Sequence, residues 1–198
     1  MFCLPNHKPV YLNVGNVQNS KIIHSTKSPL TIRCRMSFQP KVSIVIPVFN
    51  GSEHLGAAID SCLKQSYRNI EIIVVEDGST DGGATTDVAR SHGNRIRYFY
   101  KENGGVGSAL NCGIKKMRGE YFSWLSHDDL YHTDKIKTQI EKIASLPQNS
   151  WGCSIVYSDY LHYYEHHGIT VKRSVVVDSR RCFWLWLLKN DRLHGCTL

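Results

Sequence analysis

The segment from residue 41 to residue 82 constrains the fold most, because it predicts a strand, a helix and a second strand in succession. Residues 42–46 and 70–75 are short apolar runs rich in β-branched side chains, which is typical of parallel strands covered on both faces. Apolar residues between them recur at helical spacing, with Ser52 as the predicted cap: Leu55, Ala58, Ile59, Cys62 and Leu63. Such a unit has parallel strands and a right-handed crossover, so ligands are expected beyond the carboxyl ends of its strands.

The alternation of helix and strand continues beyond this segment. Further helices are predicted over 84–91, after the glycine-rich loop 103–108 and after Thr133 or Asp134, with strands over 96–101 and 121–125. This repetition predicts an open, doubly wound, mostly parallel α/β sheet flanked by helices. Pro47 is expected to end the first strand, because proline has no N–H for the ladder.

Beyond Trp151 the pattern changes. Residues 153–157 and 170–177 predict the two strands of an added β-hairpin, joined by a polar segment rich in histidine. Residues 181–189 predict another helix. The apolar residues 184–188 within it could contact a lipid-linked acceptor, although a buried helix is the preferred interpretation.

The net charge of +7 lies mostly at the start of the chain, because the first 35 residues hold five lysines or arginines and no acidic residue. Nucleic acid is therefore not an expected partner of the nearly neutral remainder. Residues 1–38 are predicted to be a basic, disordered tail or an over-extended start, since Met36 stands directly before the first strand. The seven cysteines include no Cys-x-x-Cys, which predicts reduced thiols in a cytosolic protein. No apolar run approaches membrane-spanning length.

Adjacent carboxylates follow the predicted strand 121–125, at Asp128 and Asp129. Two neighbouring carboxylates repel each other, so a site that keeps both ionised usually contains a cation or strong hydrogen-bond donors. Mg²⁺ or Mn²⁺ would take one or two carboxylates together with phosphate oxygens. An equally weighted alternative is that both side chains are solvated in a turn.

Asp77 ends the second strand at the same predicted edge and could accept the N3–H of a uracil ring. Its neighbours Glu76 and Asp81 are expected to be structural, because acidic residues beside helix starts are common. The loop 103–108 could bring backbone N–H groups to a phosphate or a sugar. It lacks dinucleotide-binding spacing, since Leu110 occupies the last glycine position, and no P-loop pattern is present.

Together these motifs resemble the family 2 glycosyltransferases, which have the GT-A fold. The resemblance rests on residues 42–50, 75–81, 103–113 and 119–129, in order and properly spaced, and extends over roughly residues 40–198. It implies the following site: Pro47, Phe49, Asn50 and Gly105 as nucleotide-binding residues, Asp77 on the base, Asp128 near ribose and phosphate, and Asp129 on the metal.

The resemblance also implies an activity. The enzyme would transfer a sugar, with inversion and Mg²⁺ or Mn²⁺, from a nucleotide-diphosphate donor such as a UDP-sugar to a hydroxyl of a saccharide or lipid-linked saccharide. Such reactions build cell-surface polysaccharides or glycoconjugates in the cytoplasm or at the inner face of the membrane, where peripheral association is expected. Residues 39–198 would form a GT-A domain that is incomplete at its C-terminal end, with the general base expected beyond Leu198. Two departures are Glu76 in place of the usual aspartate and His127 where a small or acidic residue is common.

Two other functions are open at this point. The chain could be a non-catalytic nucleotide-sugar-binding fragment or an interaction module. Alternatively, His162, Glu165 and His166 fit the H-x-x-E-H pattern of inverted zinc peptidases, which predicts a zinc hydrolase. Those zinc ligands must lie on a helix, whereas Gly168 and the β-branched run after it favour a hairpin.

Overall fold

The computed structural model describes residues 2–3, 38–164 and 169–173. Its strands are β1 (Phe2–Cys3), β2 (Val42–Val48), β3 (Ile70–Asp77), β4 (Arg97–Lys101), β5 (Tyr121–Trp124), β6 (Tyr160–Tyr164) and β7 (Ile169–Arg173). Its α-helices are α1 (Ser52–Leu63), α2 (Ala84–Ser91), α3 (Val106–Lys116) and α4 (Lys135–Ala144). Short 3₁₀ turns cover Gly93–Arg95 and Gln148–Cys153. The predicted alternation of strand and helix is confirmed from β2 to α4.

The central sheet has the strand order β1-β5-β2-β3-β4. Strands β5, β2, β3 and β4 are parallel, and β1 pairs antiparallel with β5 at the edge. Strands β6 and β7 form a separate antiparallel hairpin. The predicted open, mostly parallel α/β sheet with an added hairpin is therefore confirmed.

Both faces of the sheet are covered, which explains the unbroken apolar run in β2. Val42, Ile44 and Ile46 pack with buried residues of α1 and α4 on one face. Val45 packs on the other face with residues of α3. A Cβ added to Gly113 of α3 would lie 2.4 Å from Val45 Cγ1, so glycine lets this helix approach the sheet closely.

The prediction that Pro47 ends the first strand is wrong, because β2 continues to Val48. Each residue of a strand directs both its N–H and its C=O to the same neighbouring strand, and successive residues alternate between the two neighbours. The N–H of Val42 donates to Asn69 on the β3 side, whereas the C=O of Val45 accepts from Leu125 on the β5 side. Pro47 therefore faces the β5 side, where pairing has already ended at Val45. Its missing N–H costs no ladder hydrogen bond.

The predicted strand over residues 153–157 is also wrong. Cys153 ends a 3₁₀ turn, and the first hairpin strand is β6, inside the histidine-rich segment. Trp151 lies in this turn and holds it against the core. Its ring centroid lies 4.0 Å from that of Phe38, and its Nε1 donates to Leu146 O at 2.9 Å. The second predicted strand, 170–177, overlaps β7.

Several other predictions concern the ends of elements. Ser52 is the first residue of α1 rather than its cap, since Gly51 holds the cap position without a side-chain hydrogen bond. The predicted helix 181–189 lies outside the described residues, as does most of the predicted tail 1–38. Burial raises the pKa of Cys62, a free thiol of α1, to about 12. Among the described helices, none combines the length and the apolar character needed to cross a bilayer.

Candidate functional site

Four turns meet at one edge of the central sheet. Because β5, β2, β3 and β4 are parallel, the segments that follow them all begin at the carboxyl edge. These segments contain the predicted site residues Phe49, Asn50, Gly105, Asp128 and Asp129, whereas Asp77 is the last residue of β3 and Pro47 is buried inside β2. Phe49, by contrast, leaves 44% of its surface exposed directly beyond the strand.

Asn50 fastens the turn after β2 to the turn after β3. Its backbone φ is +49°, in the left-handed region that asparagine tolerates better than most residues. The side-chain Oδ1 accepts the N–H of Thr80 at 2.7 Å, and the backbone N–H of Asn50 donates to Ser79 Oγ at 3.1 Å. A short side chain with both a donor and an acceptor therefore joins two of the predicted motifs.

His127 brings the turn after β5 against the turn after β2. A Cβ added to Gly51 would lie 2.3 Å from His127 Cδ2 and 2.6 Å from Val48 Cγ2, so the imidazole lies directly over the Gly51 backbone. The turn itself is closed by the N–H of Asp129, which donates to Ser126 O at 3.2 Å. Asp128 is exposed and Asp129 is half-buried. His127, for which no role was predicted, thus packs the two motifs together.

Asp77 is an enclosed carboxylate at this edge, with 3% of its surface exposed. Its Oδ1 accepts from Lys101 Nζ at 2.5 Å and from the N–H of Gly104 at 3.1 Å. Burial raises the pKa of Asp77, but hydrogen bonds from Lys101 and Gly104 and the charge of Lys101 together outweigh it and leave the pKa below its ordinary value. Asp77 is therefore an ionised carboxylate near neutral pH.

Sequence analysis missed Lys101. The register of the sheet sets Lys101 of β4 directly opposite Asp77 of β3, and this cross-strand neighbour is the signal that a βαβ pattern alone does not contain. Lys101 Nζ also donates to the carbonyl of Glu102. It therefore ties the following loop to the buried carboxylate.

The loop 102–105 lies against the turn after β3. Gly78 has a φ of +70°, and a Cβ there would lie 2.6 Å from the backbone nitrogen of Asn103, so the two backbones pass in close contact. Gly105, with a φ of +82°, holds the cap position of α3. The glycine-rich segment thus begins a helix at the carboxyl edge, beside Asp77.

Glu76 and Asp81, which flank Asp77, make contacts that hold α2 in place. Glu76 is 1% exposed, and its Oε2 accepts from Tyr98 OH at 2.5 Å and from Thr86 Oγ1 at 2.9 Å. Asp81 Oδ2 accepts from Thr85 Oγ1 at 2.6 Å, a bond that lowers the pKa of Asp81. Both carboxylates are engaged with the protein itself.

The donor set at this edge fits a cation that is shared with a substrate. Among the described residues, no group of three or more His, Cys, Asp or Glu side chains could hold a metal ion. The Asp128–Asp129 turn can offer one or two carboxylates. Mg²⁺ and Mn²⁺ use this number of carboxylates together with phosphate oxygens. The turn does not fit the closed set of protein ligands that structural zinc requires.

The zinc-hydrolase interpretation is not supported. His162 lies in the strand β6, whereas the H-x-x-E-H pattern needs its histidines one turn apart on a helix. Glu165 and His166 lie outside the described residues.

A cavity of about 170 Å³ lies at the opposite, amino edge of the sheet, lined by residues that include Tyr67 and Glu71. Glu71 there accepts hydrogen bonds from Ser43 Oγ, Arg97 Nη1 and the N–H groups of Arg118 and Gly119. These contacts fasten strands together at the edge away from the motifs. We therefore assign this cavity no part in the candidate site.

Similarity to known proteins is extensive in sequence. Residues 43–197 match the family model described as Glycosyl transferase family 2. An uncharacterized glycosyltransferase of Rickettsia felis is 46% identical over 181 residues, covering 89% of this chain and 29% of the relative. One of Rickettsia typhi is 49% identical over 165 residues, covering 82% of this chain and 50% of the relative. The chain thus spans half or less of the length of these relatives.

Two solved structures are similar over a smaller part. Staphylococcus aureus TarS 1–349 in complex with UDP has a TM-score of 0.49 and 24% identity, covering 52% of this chain and 32% of that one. The Pyrobaculum calidifontis mannosyltransferase PcManGT in complex with GDP-Man and Mn²⁺ has a TM-score of 0.48 and 24% identity. The similarity covers 55% of this chain and 34% of that one. The assignment therefore rests on the sequence matches, by which this chain belongs to glycosyl transferase family 2.

Proposed function

We propose that the carboxyl edge of the sheet binds a nucleotide-diphosphate sugar whose sugar is transferred to an acceptor hydroxyl. The observation that carries this proposal is the buried, ionised Asp77 on the same edge as the Asp128–Asp129 turn. Asn50 and His127 join the turns that bear these groups. Membership of a glycosyltransferase family supports the reaction class.

Asp77 favours some nucleobases over others. An ionised carboxylate can only accept hydrogen bonds. Uracil and guanine offer a ring N–H at this position, whereas cytosine and adenine offer a ring nitrogen that is itself an acceptor. We therefore expect UDP or GDP to bind better than CDP or ADP, and by the family resemblance the donor is a UDP-sugar.

The diphosphate is proposed to lie between the Asp128–Asp129 turn and the start of α3. The N-terminus of a helix offers unpaired N–H groups and a favourable dipole to phosphate. The cap residue of this helix is Gly105, which has no side chain that would cover its N-terminus. Asp128 would contact ribose and phosphate, and Asp129 would hold Mg²⁺ or Mn²⁺. Such a cation neutralises charge on the departing diphosphate.

Transfer with inversion requires a general base for the acceptor hydroxyl. Asp159 is a poor candidate, since its carboxylate pairs with Lys172 at 3.2 Å in the hairpin. We propose that the base belongs to the part of the longer relatives that this chain does not cover. The acceptor is proposed to be a saccharide or lipid-linked saccharide in polysaccharide or glycoconjugate synthesis, on the cytoplasmic side of the membrane.

Calorimetric titration of UDP with and without Mn²⁺ tests the proposal on the wild type, Asp129→Asn and Glu141→Gln. The wild type is expected to bind UDP more tightly with Mn²⁺, and Asp129→Asn is expected to lose that dependence. Glu141→Gln is the matched control, because it removes an exposed carboxylate from α4 and should behave as the wild type. Equal metal dependence in the Asp129→Asn variant would contradict the role of Asp129.

A non-catalytic binding module is the second candidate, because Asp159, a carboxylate of the described hairpin, is paired with Lys172 and is a poor general base. This function predicts nucleotide binding without sugar transfer, even when the segment present in the longer relatives is added. Sugar transfer by the extended protein would exclude it.

A further inference from the structure

Lys101 and Asp77 form an ion pair whose two side chains are 22% and 4% exposed, with Nζ and Oδ1 2.5 Å apart. The pair lies at the carboxyl edge, at the last paired position of β3 and β4. The side chain of Lys101 therefore brings N–H donors to this edge, in addition to a charge that balances Asp77.

The ion pair has hydrogen-bonding capacity that its contacts with the protein do not use. An ammonium group has three N–H donors, and Lys101 Nζ uses two, on Asp77 Oδ1 and on the carbonyl of Glu102. Asp77 Oδ2 accepts a long bond of 3.3 Å from the N–H of Gly104, and the backbone N–H of Gly105 also interacts with this carboxylate, but each carboxylate oxygen can accept more than one hydrogen bond. One donor and one acceptor therefore remain side by side.

We propose that Lys101 is a specificity-determining residue of the nucleotide site, an inference that rests on the proposed function. Asp77 Oδ2 would accept a ring N–H, and Lys101 Nζ would donate to the carbonyl next to it. Uracil offers this pair as N3–H and O4, and guanine offers it as N1–H and O6. Cytosine and adenine offer the reverse, an acceptor ring nitrogen next to an amino group, and would leave both protein groups unsatisfied.

A purely structural Lys101 makes a different prediction. If Lys101 only secured the loop 102–105 and the carboxylate, its loss would weaken all nucleotides by a common factor. If it bonds the base, its loss weakens UDP and GDP more than CDP and ADP. The ratio of affinities separates the two roles, because a general loosening of the site cancels in it.

The experiment is calorimetric titration of UDP, GDP, CDP and ADP against the whole chain. In Lys101→Met we expect UDP and GDP to lose affinity by about tenfold or more relative to CDP. Lys101→Arg, which keeps charged N–H donors, should retain the preference for UDP. Lys142→Met removes an exposed lysine from the last turn of α4 and should leave all four affinities unchanged.

The outcomes separate this inference from the proposed function. Equal losses for all four nucleotides, or no loss, in Lys101→Met would overturn the role of Lys101 while leaving nucleotide binding intact. If that variant does not fold, Lys101→Ala, which also removes every side-chain N–H donor, replaces it, and an unchanged UDP-to-CDP ratio there would overturn the inference equally. A wild type that binds no nucleotide would instead overturn the proposed function.

Discussion

Replacing Glu71 by alanine should destabilise the fold by about 3–5 kcal/mol, the usual cost of removing one partner from a buried ion pair. The Glu71 side chain is 8% exposed and that of its partner Arg97 is 27% exposed, with Nη1 and Oε2 2.8 Å apart. Ser43 Oγ, fully buried, donates to Oε1 at 2.5 Å, and the N–H groups of Arg118 and Gly119 donate to it at 2.5 and 3.1 Å. Each buried donor left unsatisfied costs about 1–3 kcal/mol.

Several contacts limit the total. Arg97 Nη1 also donates to Lys116 O at 2.7 Å, and its exposed part keeps access to water. Ser43 Oγ can still accept from the N–H of Gly119 at 2.9 Å. The expected loss is nevertheless a large share of the roughly 5–15 kcal/mol by which a domain is stable.

The effect should also depend on pH. Burial raises the pKa of Glu71, but the hydrogen bonds from Ser43, Arg118 and Arg97 outweigh it and leave the pKa below the ordinary value of 4.5. A carboxylate with a lowered folded-state pKa stabilises the fold above its unfolded-state pKa, and this contribution is lost as the pH falls through the folded-state value. The difference between the wild type and Glu71→Gln should therefore shrink as the pH falls below 4.5.

Urea unfolding followed by tryptophan fluorescence measures these differences. Glu141→Gln, an exposed carboxylate in α4, is the control and should remain within about 0.5 kcal/mol of the wild type at neutral pH. The reasoning is refuted if Glu71→Ala is equally close to the wild type, or if the wild type and Glu71→Gln lose stability in parallel on acidification.

Two further predictions use variants with matched controls. Gly51→Ala should overpack the contact with His127 and Val48, which would lower the free energy of unfolding by about 1–3 kcal/mol and weaken UDP binding by displacing the Asp128 turn. The control is Gly56→Ala in α1, whose added Cβ would lie 3.7 Å from Val88 Cγ1 and should raise the free energy of unfolding by about 0.4–1 kcal/mol. Unchanged UDP affinity in Gly51→Ala would show that His127 does not position the turn. Tyr98→Phe should destabilise the fold by about 1–3 kcal/mol in urea unfolding, because the buried Glu76 loses a hydrogen-bond partner. Tyr100→Phe, at a position on the same strand that is 60% exposed, is the control and should leave the stability unchanged. Similar stabilities of the two variants would contradict a structural role for Glu76.

The central sheet was predictable because its strands carry their signal locally. Strands covered on both faces need continuous apolar runs, and residues 42–46 and 70–75 have them. The bounds of α2 follow the predicted range 84–91 for the same reason, since helical spacing is visible within a few turns. The part of the candidate site at the carboxyl edge follows directly from this parallel order.

Features that depend on neighbouring strands were not predictable. Whether Pro47 interrupts a ladder depends on which side its nitrogen faces and on where β5 stops, and neither is encoded near Pro47. The pairing of Lys101 with Asp77 likewise needs the register of β3 and β4. The 3₁₀ turn that ends at Cys153, where a strand was predicted to begin, contains Trp151, which packs on Phe38 more than a hundred residues earlier.

The proline inside β2 has a consequence for how the sheet can grow. Over its last residues β2 has a hydrogen-bonded neighbour on one side only, and on the other side Pro47 interrupts the row of N–H groups that an incoming strand would need. A segment from another molecule that tried to dock there as an extra strand would find a gap in the ladder at once. The main chain at Pro47 thus withholds one of the hydrogen bonds that β-augmentation along this side of β2 would need.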